Sequence, residues 1–206
     1  MLVATRSPGK TREIRELFAG LPIQVVFPNE LGLERLPEEG ELEQAATYAG
    51  NAVAKARYFA QRSALPTVAD DSGIEVDALD GAPGVRSARF AAEPGDVADR
   101  SQDEANNALL LERLQGVPEQ RRTARYRCVV AYLEPLSTAP ELVEATCEGR
   151  ILTAPRGGGG FGYDPVFFSD DLQRGFGEVP PSSKHRVSHR GRAFRALIEV
   201  MLRRRL

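Results

Sequence analysis

Residues 123–133 and 142–152 are two arms dominated by β-branched and aromatic side chains, and together they predict a long hairpin in the middle of this 206-residue chain. The pattern on either side is different. Residues 1–4 are a short apolar run leading through Thr5-Arg6-Ser7-Pro8-Gly9 into residues 10–18, where Ile14, Leu17 and Phe18 fall at helical spacing, which reads as strand, loop, helix. Residues 23–27 read as a second strand, and residues 28–43 as a loop rich in Pro, Gly and Glu. An Ala-rich stretch from 45 to 61, with Tyr48, Ala52, Ala56 and Phe59 near one face, predicts a helix that packs on a sheet. Residues 103–114 predict another, with Leu109, Leu110 and Leu114 on its core face, and residues 188–202 close the chain as an amphipathic helix. Mixing βα units with an antiparallel middle favours an α/β fold over a purely doubly wound sheet, and suits two lobes around one cleft. The 42% hydrophobic content is enough for a substantial core, and no repeat or linker interrupts the chain, so residues 1–206 are expected to form one domain.

With 27 basic and 29 acidic residues the formal charge is −2, so no global positive field points to nucleic acid or to an anionic membrane. Any phosphate site must be local. No run of roughly 18 apolar residues exists, and the N-terminus lacks the order of a signal peptide, which makes the cytoplasm the expected compartment. Cys128 and Cys147 are too few for a disulfide framework or a zinc cluster, and their place in predicted strands makes them buried thiols.

Several segments carry chemistry-bearing residues. Thr5-Arg6-Ser7-Pro8-Gly9-Lys10 sits where a strand end meets a helix N-terminus, so free N–H groups, the helix dipole and Lys10 can converge on a phosphate, although the spacing is not that of a P-loop. A capped loop with a solvated Lys10 explains the same residues. Residues 67–69 and 74–76 read as two short strands interrupted at Asp70-Asp71-Ser72-Gly73. Adjacent carboxylates there can hold a hard cation such as Mg²⁺ through oxygen. Neighbours on an extended strand point to opposite faces, so the pair shares a site only if the backbone turns; otherwise one faces the cleft and the other braces the loop. Read alone, the segment is also a plain acidic turn. Glu38, Glu39, Glu41 and Glu43 can supply a further carboxylate, and Asn51 and Lys55, four apart on a helix, share a face. The glycine run 157–160 followed by Phe161-Gly162-Tyr163-Asp164-Pro165 suits a flat ring sliding against Phe161, or is a linker before a strand that resumes at 164–168. Lys184, His185, Arg186, Ser188, His189, Arg190 and Arg192 form a basic cluster able to donate to phosphates or base carbonyls, or simply to face solvent.

In their order along the chain these segments resemble the inosine triphosphate pyrophosphatase family, house-cleaning enzymes that hydrolyse deoxyinosine and xanthosine triphosphates. The resemblance covers nearly the whole chain. It is carried by Ala4-Thr5 through Gly9-Lys10, Asn51-Ala52 with Lys55-Ala56, Ala69-Asp70-Asp71-Ser72-Gly73, Gly81-Ala82-Pro83-Gly84-Val85 with Ser87-Ala88-Arg89, Gly159 through Pro165, and Ser188-His189-Arg190. It implies an elongated central mixed sheet with flanking helices in two lobes, a nucleotide in the cleft between them, a homodimer, and monophosphate and pyrophosphate as products. By position it implies Asp71 as general base and metal ligand, Ser72 as a substrate contact, and Thr5, Arg6, Ser7, Pro8, Gly9 and Lys10 as the phosphate loop. Lys10 would also stabilise charge on the phosphates, and Asn51 and Lys55, on their shared helix face, would contact substrate. Phe161, Gly162, Tyr163, Asp164, Lys184, His189 and Arg190 would hold the base and sugar. Two departures stand out. Ser7 occupies the place where the family has Asn, and the family's E-T-G-x-T-F-x-E-N-A appears as Glu43 through Ala52 without its Gly and second Glu. Glu43 stays in register and is the expected second Mg²⁺-linked carboxylate, with Glu41 close behind. The rival readings are a pyrophosphatase for other modified nucleotides and a nucleotide- or RNA-binding module without catalysis.

Overall fold

The computed structural model describes residues 1–91 and 101–203. In chain order its elements are β1 (Leu2–Val3), α1 (Pro8–Phe18), α2 (Tyr48–Ser63), β2 (Thr67–Val76), α3 (Gln102–Arg113), β3 (Thr123–Leu133), β4 (Glu141–Ile151), β5 (Phe167–Ser169), β6 (Arg174–Gly175), α4 (Pro181–Val187) and α5 (His189–Arg203). The strands form one sheet in the order β1-β2-β3-β4-β5-β6. It is mixed: β1 pairs with β2 in parallel, Val3 opposite Val68, whereas β4–β5 and β5–β6 are antiparallel. The fold is therefore α/β, a mixed six-stranded sheet with flanking helices.

Three local expectations are corrected. Residues 67–76 form one unbroken strand, not two short strands broken at Asp70-Asp71-Ser72-Gly73. β2 lies between β1 and β3, and ladder bonds on both sides override the turn preference of Asp-Ser-Gly. Residues 23–27 make only an isolated bridge, Val26 to Leu2, because the Phe27 N–H turns away to Glu30 Oε2 at 3.0 Å. Residues 164–166 are a 3-10 turn, and strand begins only at Phe167.

The chain gathers into two compact units, each discontinuous in sequence. The first comprises Met1–Asp71, Cys128–Ala145 and the chain from Arg190 onward; the second comprises Ser72–Arg127 and Thr146–His189. In the first unit, alternation along the strands feeds two cores. Val3, Val68, Cys128 and Val130 pack with Ile14 and Phe18 of α1 and with Phe194 and Leu197 of α5, while Leu2, Ala69, Ala131 and Leu133 pack with Ala52, Ala56 and Phe59 of α2. In the second unit, Ile74, Val76, Ala124, Tyr126, Cys147 and Ile151 form one core with Leu110 of α3, with Leu114 just after it, and with Tyr163, Phe167 and Phe176. The alternate strand positions carry charge instead, as Arg127 pairs with Glu75 at 2.9 Å and Arg125 with Glu148 at 3.0 Å. Both cysteines are free and buried, as expected. Among the described residues, no helix is long and apolar enough to cross a membrane.

Candidate active site

α1 starts where it does because Ser7 caps it. The Ser7 backbone is extended, and its Oγ accepts the Lys10 N–H at 3.4 Å. Pro8 takes the first helical position, where a missing N–H leaves nothing unsatisfied, and Gly9 follows it in the first turn. Thr5 Oγ1 accepts the Ser7 N–H at 3.2 Å, and these contacts aim the first turn that carries Lys10. Arg6 is engaged elsewhere. Its guanidinium grips Glu39 with two prongs, Nε to Oε2 at 2.6 Å and Nη2 to Oε1 at 2.8 Å, and reaches Asn29 Oδ1 at 2.6 Å, so it ties down the 28–43 loop. A cavity of about 520 Å³ beside α1 is lined by Arg6, Pro8, Thr11, Arg12, Arg15, Glu16 and Asn29, and includes none of Lys10, Asn51, Lys55 or Asp71.

Because β2 stays extended, Asp70 and Asp71 part company. Asp70 faces the α1 and α5 side, where its Oδ2 pairs with Lys10 Nζ at 2.9 Å and Arg190 Nε at 3.2 Å; Arg190 Nη1 in turn binds Glu13 Oε2 at 2.6 Å. Lys10⁺, Asp70⁻, Arg190⁺ and Glu13⁻ thus form a chain of alternating charge, with Asp70, Arg190 and Glu13 buried. Burial opposes ionisation of Asp70, but the charges of Lys10, Arg190 and Lys55 outweigh it and hold the carboxyl well below its ordinary range.

Asp71 faces α2 instead. Asn51 Nδ2 donates to its Oδ2 at 2.9 Å, and Lys55 Nζ lies 3.2 Å from its Oδ1. The same Nζ is 2.6 Å from Glu43 Oε1. Burial works against a charged Lys55, yet Asp71, Glu43 and Asp70 prevail and raise its pKa. Burial likewise disfavours the Glu43 anion, and Lys55 and Lys10 more than compensate. Of the four glutamates in that loop, Glu39 goes to Arg6, Glu38 and Glu41 are exposed, and Glu43 reaches Lys55. Glu43 and Asp71, bonded to one ammonium, present converging oxygens, a donor set that fits magnesium through one or two carboxylates. Among the described residues no group of three or more His, Cys, Asp or Glu gathers that could hold a metal ion by itself. Ser72 continues the strand directly after Asp71.

The second unit assembles the remaining candidates around Asp164. Its Oδ2 accepts the Phe161 N–H at 2.8 Å and pairs with Lys184 Nζ at 2.5 Å, while its Oδ1 accepts from Tyr126 Oη at 3.4 Å. Lys184 Nζ stands 4.9 Å from the Phe161 ring centroid and 5.6 Å from that of Phe176. The His189 ring stacks on Tyr126, with centroids 4.5 Å apart and planes at 4°. Gly160 is required here: its φ is +79°, and a Cβ would lie 2.1 Å from Asp164 Oδ2. Tyr163 is buried, and its hydroxyl donates to Ser87 O at 2.8 Å. Phe161, Asp164, Lys184 and His189 therefore share one polar and aromatic cluster, whereas Arg190 is bound to Asp70 and Glu13 in the first unit.

Sequence reasoning passed over Glu13, Tyr126 and Phe176. Glu13 follows Lys10 by three residues and so shares its helical face, a signal present in the sequence. Tyr126 alternates with Arg125 and Arg127 on β3, which marks it as inward-facing, but nothing local marks its hydroxyl as a partner for Asp164.

The model of the Ham1 family matches residues 1–200. The chain is similar to a protein of Thioalkalivibrio sulfidiphilus named dITP/XTP pyrophosphatase, 44% identical over 200 residues, covering 97% of this chain and 96% of that one. It is similar to one of the same name from Desulforamulus reducens, 44% identical over 204 residues, covering 98% and 96%. Among solved structures it resembles a HAM1 protein from Coxiella burnetii, with a TM-score of 0.82 and 34% identity over 98% of both chains.

Proposed function

The chain belongs to the Ham1 family, and on that premise we propose that it hydrolyses non-standard purine nucleoside triphosphates, dITP, ITP and XTP, to the monophosphate and pyrophosphate. The observation that carries this reading is the buried cluster in which Asn51 and Lys55 orient Asp71 beside Glu43. Asp71 takes a proton from a water whose oxygen attacks the α-phosphorus; the new P–O bond forms as the bond to the β-phosphate bridge breaks and pyrophosphate leaves. Lys10 and Lys55 donate to phosphate oxygens as charge builds on them. Glu43 and Asp71 would hold Mg²⁺, which would neutralise charge on the triphosphate. Thr5, Ser7 and Gly9 present the start of α1 to the phosphates, and Ser72 contacts substrate next to Asp71. Phe161 stacks the base, while Lys184 and His189 supply donors to its 6-oxo group, so that adenine, with an amino group there, leaves a donor unmatched. A homodimer acting in the cytoplasm completes the reading.

The test is pyrophosphate release from dITP, ITP, XTP, GTP and ATP by wild type and Asp71→Asn, with and without a chelator. The expected result is preference for the 6-oxo non-standard purines, loss on chelation restored by Mg²⁺, and a fall in kcat of about 10²–10⁴-fold for Asp71→Asn. Normal turnover by the variant would remove Asp71 from the role of base, and no release from any triphosphate would end the enzymatic reading.

A further inference from the structure

One face of α3 grips both peptide groups that flank the Gly162 Cα in the Phe161 loop. Asp103 and Asn107 are four residues apart on that helix and so lie on one face. Asp103 Oδ2 accepts the Gly162 N–H at 2.7 Å, and Asn107 Nδ2 donates to the Gly162 carbonyl at 2.9 Å. One partner accepts and the other donates, so the pair fixes the rotation of the backbone at Gly162, which sits at φ +62°. Such a backbone has no strand or helix ladder to hold it, and side chains must supply the partners.

The grip has a purpose beyond packing. Asn107 is 8% exposed, and its Oδ1 has no hydrogen-bond partner among the described residues. Turning the amide over would set an acceptor against the Gly162 carbonyl, so the donor is committed to the loop and the acceptor is left unmatched. A side chain needed only to fill space on this helix, near Leu110 and Leu114, would be apolar and would avoid that penalty. Next to it Asn106 binds a different segment, donating to Ser87 O at 3.2 Å and accepting the Ala91 N–H at 2.8 Å, and Ser87 O also receives the Tyr163 hydroxyl. Gly162 is thus held by α3 directly, and Tyr163 through Ser87.

We propose that Asp103 and Asn107 are positioning residues for the purine: by holding the peptide groups on both sides of the Gly162 Cα they fix Phe161 as the platform on which the base stacks. This rests on the assignment of Phe161 to the base. The pair acts through the loop and leaves the phosphate chemistry at Asp71 untouched.

The experiment compares ITP with ribose 5′-triphosphate, which carries the same phosphates and no base, on wild type, Asn107→Leu, Asp103→Leu and Asp103→Asn. The two leucine variants are expected to raise KM for ITP by about tenfold, the worth of one hydrogen bond, with kcat little changed. Ribose 5′-triphosphate should be handled as by wild type. Asp103→Asn keeps an acceptor oxygen and should recover most of the wild-type KM. Equal effects on both substrates, or an unchanged KM for ITP in leucine variants that melt like wild type, would overturn the proposal. Should Asn107→Leu fail to fold, the exposed Asp103 pair decides the matter alone. If wild type releases no pyrophosphate from ITP, the proposed function fails separately, and the same comparison read by titration calorimetry still shows whether affinity is lost only when a base is present.

Discussion

Neighbouring cations hold Asp70 ionised although its side chain is buried, and this gives the protein an acid limb with a definite sign. The ordinary carboxyl value is 3.8, and Lys10, Arg190 and Lys55 push the folded value below it against the burial that would raise it. A depressed folded value means that stability from this group is fully present above the unfolded value, and is lost as pH falls below about 4, where the unfolded chain takes up the proton that the folded chain refuses. Glu43 shifts in the same direction from 4.5. Calorimetric melting between pH 7 and pH 3 should therefore show wild type losing stability progressively below about pH 4.5. Asp70→Asn should start lower at pH 7, by roughly 3 kcal/mol for a broken buried pair, and fall less steeply in that acid window. Parallel curves for the two proteins would show that Asp70 is not the carboxyl responsible.

At the scale of elements, α1 shows how a departure from the family pattern can be absorbed locally. Ser7 stands where Asn is usual, and serine and asparagine are equally good N-caps. The cap contact is long, 3.4 Å, so Ser7→Ala is expected to cost about 0.5–1 kcal/mol in urea unfolding, while Ser7→Asn should stay within a few tenths of wild type. A loss of several kcal/mol in Ser7→Asn would mean that the loop cannot accept the longer side chain. The same scale explains what the sequence disclosed. α2 and α3 were legible because apolar residues such as Ala52, Ala56 and Phe59, or Leu110 and Leu114, repeat at helical spacing. β2 was misread at Asp70-Asp71-Ser72-Gly73 because turn preference is local, whereas the neighbours β1 and β3 that keep it extended are distant in sequence. α4 was hidden because Pro181–Val187 offers basic residues and no apolar stripe. In the site, the alternation of Asp70 and Asp71 to opposite faces follows from strand geometry alone. The partner that each would find, Arg190 for one and Asn51 for the other, depends on tertiary packing. Asp103 and Asn107 bind backbone groups, and such contacts leave no pattern in the sequence.

At the scale of the whole molecule, the chain leaves the first unit after Asp71, returns at Cys128, leaves again after Ala145 and returns at Arg190. No linker marks these passages because the first three fall within β2, β3 and β4 and the fourth at the start of α5, which is why composition suggested one domain. The consequence is that the first unit is finished only by the last helix. Ala193, Phe194, Leu197, Ile198 and Met201 of α5 complete the core begun by Val3, Ile14, Phe18 and Val68, and the Phe194 ring meets Phe18 edge-on with centroids 6.0 Å apart. Burying side chains of this size contributes roughly 1.5–3 kcal/mol each, so α5 supplies on the order of 10 kcal/mol. That is comparable with the whole net stability of a domain, about 5–15 kcal/mol. Removing α5 also takes Arg190 from between Asp70 and Glu13, leaving two buried carboxylates with Lys10 as the remaining cation of that chain. A chain ending at Ser188 is therefore expected to show no cooperative heat-absorption peak and to be cleaved rapidly by protease within residues 1–71. A sharp calorimetric transition near that of the full chain would mean that the first unit closes without α5, and that the charge chain from Lys10 to Glu13 is dispensable for the fold.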